Sequence, residues 1–442
     1  MEQKYVAFVS LFLDLFAFTL ILPLFPKIFD FYASKKDDLT YNFLENSVDE
    51  YRKLIAASTD RSLNSVLFGG LIGSLFSFLQ FVSSTLIGAA SDLYGRKPVL
   101  LLAMTGTLIS YILWSVSGYF VIFLLSRIVG GISKANVSII IAIMTDLTKK
   151  ENRSQAMALV GIAFSLGFII GPTFGAIFSS KLSATASIYT YPSYLAIGLT
   201  IINIIFVTLF YKESLPAEKR SKSIKNIFYQ SVQFINPISL FNFSPIKSLN
   251  EQDLNDLKNI GFSNFLYLFI YSGLEFTLTF LVHHRFSYNS VQQGKMFLFI
   301  GILMTLIQGG YVRRIKPGRH LSASIKAIMI LIPSFILVAL ASNQMVLYVG
   351  LTFYTYASAV VIPCFTTISS IYGNDDEKGT ITGIFRSLGA LARALGPTFT
   401  SMIYWTFGAS FAYIVGSIAF LIPLSILIRT NSRLSQAAKK SD

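Results

Sequence analysis

The chain has 442 residues, of which 53% are hydrophobic and 13% charged, with 40 phenylalanines; its mean hydropathy of +0.61 excludes an ordinary soluble domain and makes lipid the solvent for most of it. The net charge of +14 does not mark a nucleic-acid partner, because Lys and Arg fall mainly in short segments between apolar runs, where positive-inside topology puts them. The single cysteine, Cys364, sits in an apolar run and excludes an intramolecular disulfide or a CxxC metal site.

A membrane helix needs about 20 apolar residues. The sequence predicts an all-α membrane protein of twelve such helices, near residues 5–29, 64–90, 97–117, 119–143, 154–179, 191–211, 262–283, 292–312, 322–341, 345–370, 380–405 and 408–428. The first contains Asp14 and Pro23 and lacks a small-residue cleavage site, so it reads as a retained helix and not a signal peptide. Residues 30–63 read as a long extracytoplasmic loop, and 212–261 as a polar cytoplasmic linker between six-helix halves at 1–211 and 262–430, followed by a tail at 431–442. Within the linker, Ile227, Phe228, Val232, Phe234 and Ile235 predict a segment lying on the membrane surface. Basic clusters at Arg96 and Lys97, Lys149 to Arg153, Lys212 to Lys225, Arg313 to Arg319 and Arg429 to Lys440 fall on one side. That side is expected to be cytoplasmic and to hold both termini. The sequons at Asn152 and Asn242 would then stay unmodified.

The halves echo one another. Gly171-Pro172-Thr173-Phe174 returns as Gly396-Pro397-Thr398-Phe399, and the loop from Gly88 to Lys97 is echoed from Gln308 to Arg319.

The loop with Gly88, Asp92, Gly95, Arg96 and Lys97 is similar to the G-x-x-x-D-x-x-G-R-K signature of the major facilitator superfamily. Arg127 with Gly131 looks like that family's fourth-helix signature, and Gly167, Gly171, Pro172 and Gly175 look like the fifth-helix signature of its drug:proton antiporters. Asp14 in Phe12-Leu13-Asp14-Leu15, with the run Leu22 to Pro26, resembles the first helix of tetracycline efflux carriers. Asn64 to Ser74, Gly130 to Lys134 and Ser272 to Glu275 resemble the eukaryotic tetracycline-transporter-like group. The resemblance implies the two-half transporter fold and carriage of organic anions.

The residues carry a physical reading of their own. Gly88 and Gly95 let the loop turn tightly, and Asp92 with Arg96 and Lys97 could latch one conformation through an ion pair or a helix dipole. Glycines at four-residue spacing allow close helix contact, and Pro172 and Pro397 loosen the backbone ladder. An ionisable residue at the centre of a membrane helix costs at least ~2.5 kcal/mol and persists where it faces a cavity or a partner. Six stand out: Asp14, Arg127, Lys134, Glu275, Arg386 and Arg393. Arg127 with Lys134, and Arg386 with Arg393, are seven apart and are expected to share a helix face toward a central cavity. Four cations against two carboxylates favour an anionic substrate. Asp14 and Glu275 are the proton-coupling candidates, the alternative for Asp14 being neutralisation of Arg127 or Lys134. Gln80, Gln308 and Asn136 are candidate hydrogen-bonding residues of the cavity.

No phosphate-cradling loop or HExxH cluster is present, so neither an enzyme nor a bound cofactor or metal is expected. The expected function is a monomeric multi-pass secondary carrier of amphipathic organic anions or drugs, coupled to protons, in the plasma membrane or an organelle membrane. The competing expectations are a tetracycline-like or cationic drug:proton antiporter, and a membrane partner protein that keeps the fold without transporting.

Overall fold

In hydrocarbon every backbone N–H and C=O must be satisfied within the segment, so long apolar runs become helices. The computed structural model describes residues 2–54, 63–148, 153–181, 189–220, 232–316, 318–369, 372–373 and 377–441. Its helices in chain order are α1 (Gln3–Thr19), α2 (Phe25–Ser34), α3 (Leu39–Leu54), α4 (Asn64–Tyr94), α5 (Arg96–Ser115), α6 (Phe120–Ser133), α7 (Asn136–Asp146), α8 (Arg153–Lys181) and α9 (Thr190–Phe210). They continue as α10 (Pro237–Asn242), α11 (Glu251–Phe286), α12 (Ser290–Gly310), α13 (His320–Leu340), α14 (Gln344–Ser369), α15 (Lys378–Phe407), α16 (Ala409–Ala419) and α17 (Leu421–Ser441). Among the described residues, 11 segments are long and apolar enough to cross a membrane. The 30-residue α15, which carries Arg386 and Arg393, supplies the twelfth helix.

Three spans are interrupted. The first breaks after Thr19 at a 3-10 turn over Leu22–Leu24, where Pro23 removes a backbone donor. The fourth, expected to run unbroken over 119–143, stops at Ser133 and restarts at Asn136. The twelfth breaks at Phe420.

Two further expectations change with the structure. The 30–63 segment is not all loop: α2 reaches Ser34 and Leu39–Leu54 is helical. That helix has no apolar run to announce it, and it is fixed by a polar device. Asp38, 1% exposed, accepts the Tyr41 backbone N–H at 3.1 Å and the Phe120 N–H at 2.6 Å, so one carboxylate caps α3 and α6 together. The seventh span starts at Glu251, ahead of the expected 262, with Glu251 and Asp253 in the first turn, where the helix dipole favours acids. Ile227 and Phe228 of the expected surface segment lie outside the described residues, as do Lys149, Lys150 and Asn152.

The chain forms two compact units, Met1–Val232 with Thr279–Gly301, and Gln233–Leu278 with Ile302–Asp442, so α11 contributes to both. Between apolar helices in lipid, close packing replaces the hydrophobic effect as the cohesive force, and small residues permit it. In the first unit α8 lies directly on α1: a Cβ at Gly167, Gly171 or Gly175 would strike Leu15, Thr19 or the Leu20 carbonyl oxygen. Thr19 Oγ1 donates to the Gly167 carbonyl oxygen at 2.8 Å across the same seam. The second unit uses the same device, with Gly396 against the Phe269 carbonyl oxygen and Gly273 against Thr400.

Candidate functional site

The break in the fourth span places a cluster of polar groups. Lys134 sits at the C-cap of α6 and Asn136 opens α7, and both reach the middle of α1. Lys134 Nζ donates to Asp14 Oδ2 at 2.7 Å and Asn136 Nδ2 donates to Asp14 Oδ1 at 2.8 Å. All three are buried, at 2%, 6% and 1% exposure for Lys134, Asp14 and Asn136. Lys134 Nζ also lies 4.7 Å from the centre of the Phe18 ring. Asp14 therefore neutralises Lys134, one of the two partners considered from the sequence.

Arg127 is not its neighbour on a continuous helix face, because the helix ends between them. The guanidinium carbon lies 5.6 Å from the Trp114 ring centre and 5.4 Å from that of Phe123, and Nε donates to Ser126 Oγ at 3.2 Å. Arg127 is 4% exposed, and among the described residues no carboxylate pairs with it.

The second unit has a different centre. Tyr354 Oη donates to Glu275 Oε1 at 3.0 Å and Tyr271 Oη does so at 3.2 Å. The two hydroxyls are 2.6 Å apart, and the rings stack with centres 5.5 Å apart and planes 1° from parallel. Arg393 lies within electrostatic reach of Glu275. Unlike the buried charges of the first unit, Glu275, Arg386 and Arg393 are exposed. Charged side chains on membrane-spanning helices belong against water-filled space and not lipid. Gln80 and Gln308 are half-buried on α4 and α12.

The glycine-rich loop is held from several sides. Gly95 has φ +102°, which excludes an ordinary side chain, and a Cβ there would meet the Glu213 carboxylate. Arg96 bonds Asp92 Oδ1 at 2.7 Å, Asp146 Oδ2 at 2.9 Å and Ser91 Oγ at 2.6 Å. Asp92 thus pairs four residues along its own chain. Glu213 receives the backbone N–H groups of Arg96 and Lys97, each at 3.0 Å, at the open N-terminus of α5, and that of Leu215 at 3.0 Å. Burial pushes its carboxyl up, but these three backbone donors and the Arg220 charge hold it below the usual carboxylate range. Lys97 Nζ reaches the carbonyl oxygens of Thr208 at 3.0 Å and Tyr211 at 2.7 Å, closing the C-terminus of α9.

The sequence reading missed Glu213, Tyr271 and Tyr354. Glu213 was one acid among linker charges, and tyrosines 83 positions apart give no linear signal. Only the packing of the helices that carry them brings the two hydroxyls together.

The chain matches the family model described as Major Facilitator Superfamily over residues 7–397. It is 44% identical over 426 residues to mouse major facilitator superfamily domain-containing protein 10, covering 96% of this chain and 91% of that protein. The crystal structure of the human organic anion transporter MFSD10 (TETRAN) matches with a TM-score of 0.80 at 42% identity, covering 96% of this chain and 99% of that one. The class C tetracycline resistance protein of Escherichia coli is 24% identical over 368 residues, 81% of this chain and 86% of that protein.

Proposed function

As the chain belongs to the major facilitator superfamily and is a multi-pass membrane transporter, we propose that it carries amphipathic organic anions by alternating access of its two six-helix halves, coupled to protons. The observation that carries this reading is the charge centre of the first unit: one buried carboxylate, Asp14, shared by Lys134 and Asn136 at a helix break, and a buried Arg127 that pairs with no acid among the described residues. Broken membrane helices place polar groups where an ion or a substrate head is handled. The excess of cations favours an anionic cargo, in keeping with the human relative described as an organic anion transporter.

Proton handling is assigned to Asp14 and Glu275. Around Glu275 three oxygens make three mutual contacts, while the two phenols carry only two protons. With a proton on the carboxyl, Glu275 donates to one phenol, that phenol turns to donate to the other, and the second donates back to Oε1, so the ring suits the protonated acid. Ionisation leaves one contact without a proton and favours rearrangement. Arg393 and Arg386, on the exposed side of α15, attract the anion, with Gln80 and Gln308 as hydrogen-bonding groups. The glycine-rich loop gates the cycle, the basic loops and both termini face the cytoplasm, and the carrier works as a monomer.

The test is uptake of a labelled amphipathic anion into proteoliposomes with and without an imposed pH gradient. Gradient-driven accumulation that disappears in Asp14→Asn is the expected result. Equal flux at every gradient overturns proton coupling. No flux above protein-free vesicles, for any anion or gradient, overturns the carrier reading. The exposed Glu275 carboxylate favours one second reading, direct contact with a cationic drug. Competition for the same site by cations and not by anions would select it.

A further inference from the structure

We infer that Arg127, Tyr111 and Trp114 form a binding site for one compact monovalent anion inside the first unit. Tyr111 and Trp114 are one turn apart near the end of α5, with ring centres 6.4 Å apart. Arg127 on α6 packs over the same Trp114 ring. Tyr111 Oη, Trp114 Nε1 and Arg127 Nη2 are buried and find no hydrogen-bond partner among the described residues. The residues are 4%, 1% and 4% exposed, so bulk water does not satisfy them either.

The chemistry of this set selects the ligand. An indole N–H and a guanidinium only donate, and the phenol, with nothing supplied to it, is free to donate as well. An enclosed water would have to donate its own protons, and the set offers it little to donate to. An anion accepts from all three and requires no acceptor. Charge balance points the same way. Asp14 is engaged through both oxygens by Lys134 and Asn136, which leaves Arg127 as an uncompensated buried cation among the described residues. An isolated charge at such depth is costly, and a counter-ion removes that cost. The faces of Trp114 and Phe123 hold the guanidinium, but they do not neutralise it. This donor set suits a halide ion or the carboxylate head of an organic anion. The inference needs only binding, and it stands or falls separately from transport.

The chain has two tryptophans, so Trp405→Phe on α15 leaves Trp114 as the reporter within the site. The protein, purified in detergent in halide-free sulfate buffer, is titrated with bromide, which quenches indole fluorescence on contact, and then with chloride as a competitor. Saturable quenching reversed by chloride is expected. Tyr111→Phe, which removes only the hydroxyl, should raise the Kd about tenfold, the loss of one hydrogen bond to a charge. Arg127→Gln should abolish saturation; should that variant not fold, Tyr111→Phe decides alone. A chloride-dependent rise in Tm should weaken in parallel. Saturation by benzoate and not by halides keeps the site and assigns it to a carboxylate head. Quenching that grows linearly with bromide, accompanied by no effect of benzoate, overturns the proposal. Saturation unchanged in both variants also overturns it, because the anion would then bind elsewhere.

Discussion

Buried charge gives single residues in this protein unequal weight. Removing one partner of the Asp14 and Lys134 pair leaves the other charged in an apolar interior, a change that costs about 3–5 kcal/mol in comparable buried pairs. Lys134→Met should therefore lower the Tm in detergent sharply. The double variant Asp14→Asn with Lys134→Met should recover much of that loss and still fail to accumulate substrate; a double variant as unstable as the single one would mean that the pair is not the unit. Glu213 makes a pH prediction. Its folded pKa is lowered, so its contribution is fully present above its unfolded value of about 4.3 and is lost as pH falls through the lower folded value. The Tm difference between wild type and Glu213→Gln should be constant near neutrality and shrink only below about pH 4. Intramembrane charges were legible in the sequence because they interrupt apolar runs. Asn136 and Lys134 stood out with them as polar groups in apolar runs, whereas Tyr271 and Tyr354 are ordinary members of membrane helices until the fold brings them to a charge.

Helices pair through glycine in this protein, and the structure separates glycines that touch from glycines that do not. A Cβ at Gly175 or Gly396 would strike a backbone carbonyl oxygen, which cannot rotate away. Gly175→Ala and Gly396→Ala should each lower the Tm or the folded yield, measured by thermal unfolding and size-exclusion chromatography. Gly88 and Gly161 have nothing within 4 Å of an added Cβ, so Gly88→Ala should fold normally. Because Gly88 belongs to the loop proposed as the gate, that same variant should slow uptake if a second conformation brings another element against it; unchanged uptake would remove Gly88 from the gate. The spans were readable because lipid demands an apolar stretch of fixed length. The break at Lys134 was hidden, since Gly130, Gly131 and Ser133 are tolerated in unbroken membrane helices as well. The helix Leu39–Leu54 lacks the apolar run that such a length rule detects, and its start is capped by Asp38.

At the scale of the whole molecule, the two units handle charge differently: the first closes its acid among buried partners, and the second exposes its acid and both arginines. If the proton is carried between conformations, the two acids should fail differently. Asp14→Asn, which removes the charge that holds Lys134, should abolish gradient-driven accumulation. Glu275→Gln keeps a hydrogen-bonding group between Tyr271 and Tyr354 and should leave downhill exchange of the anion while losing its pH dependence. Counterflow measured with and without a pH gradient distinguishes these, and identical loss of exchange in both variants would contradict separate roles. The two-half repeat and the signature motifs made the family legible. The different solvation of the two acids follows from tertiary packing, and no motif encodes it.

Glu213 lies beyond the last turn of α9, yet its carboxylate holds the start of α5, while Lys97 holds the end of α9. The first half therefore does not finish where its last membrane helix does. A gene divided after Phe210 to express the halves as separate polypeptides would place this acid on the wrong fragment and leave the α5 amides open to water. Division after Arg220 would keep the fragment able to close its own loop.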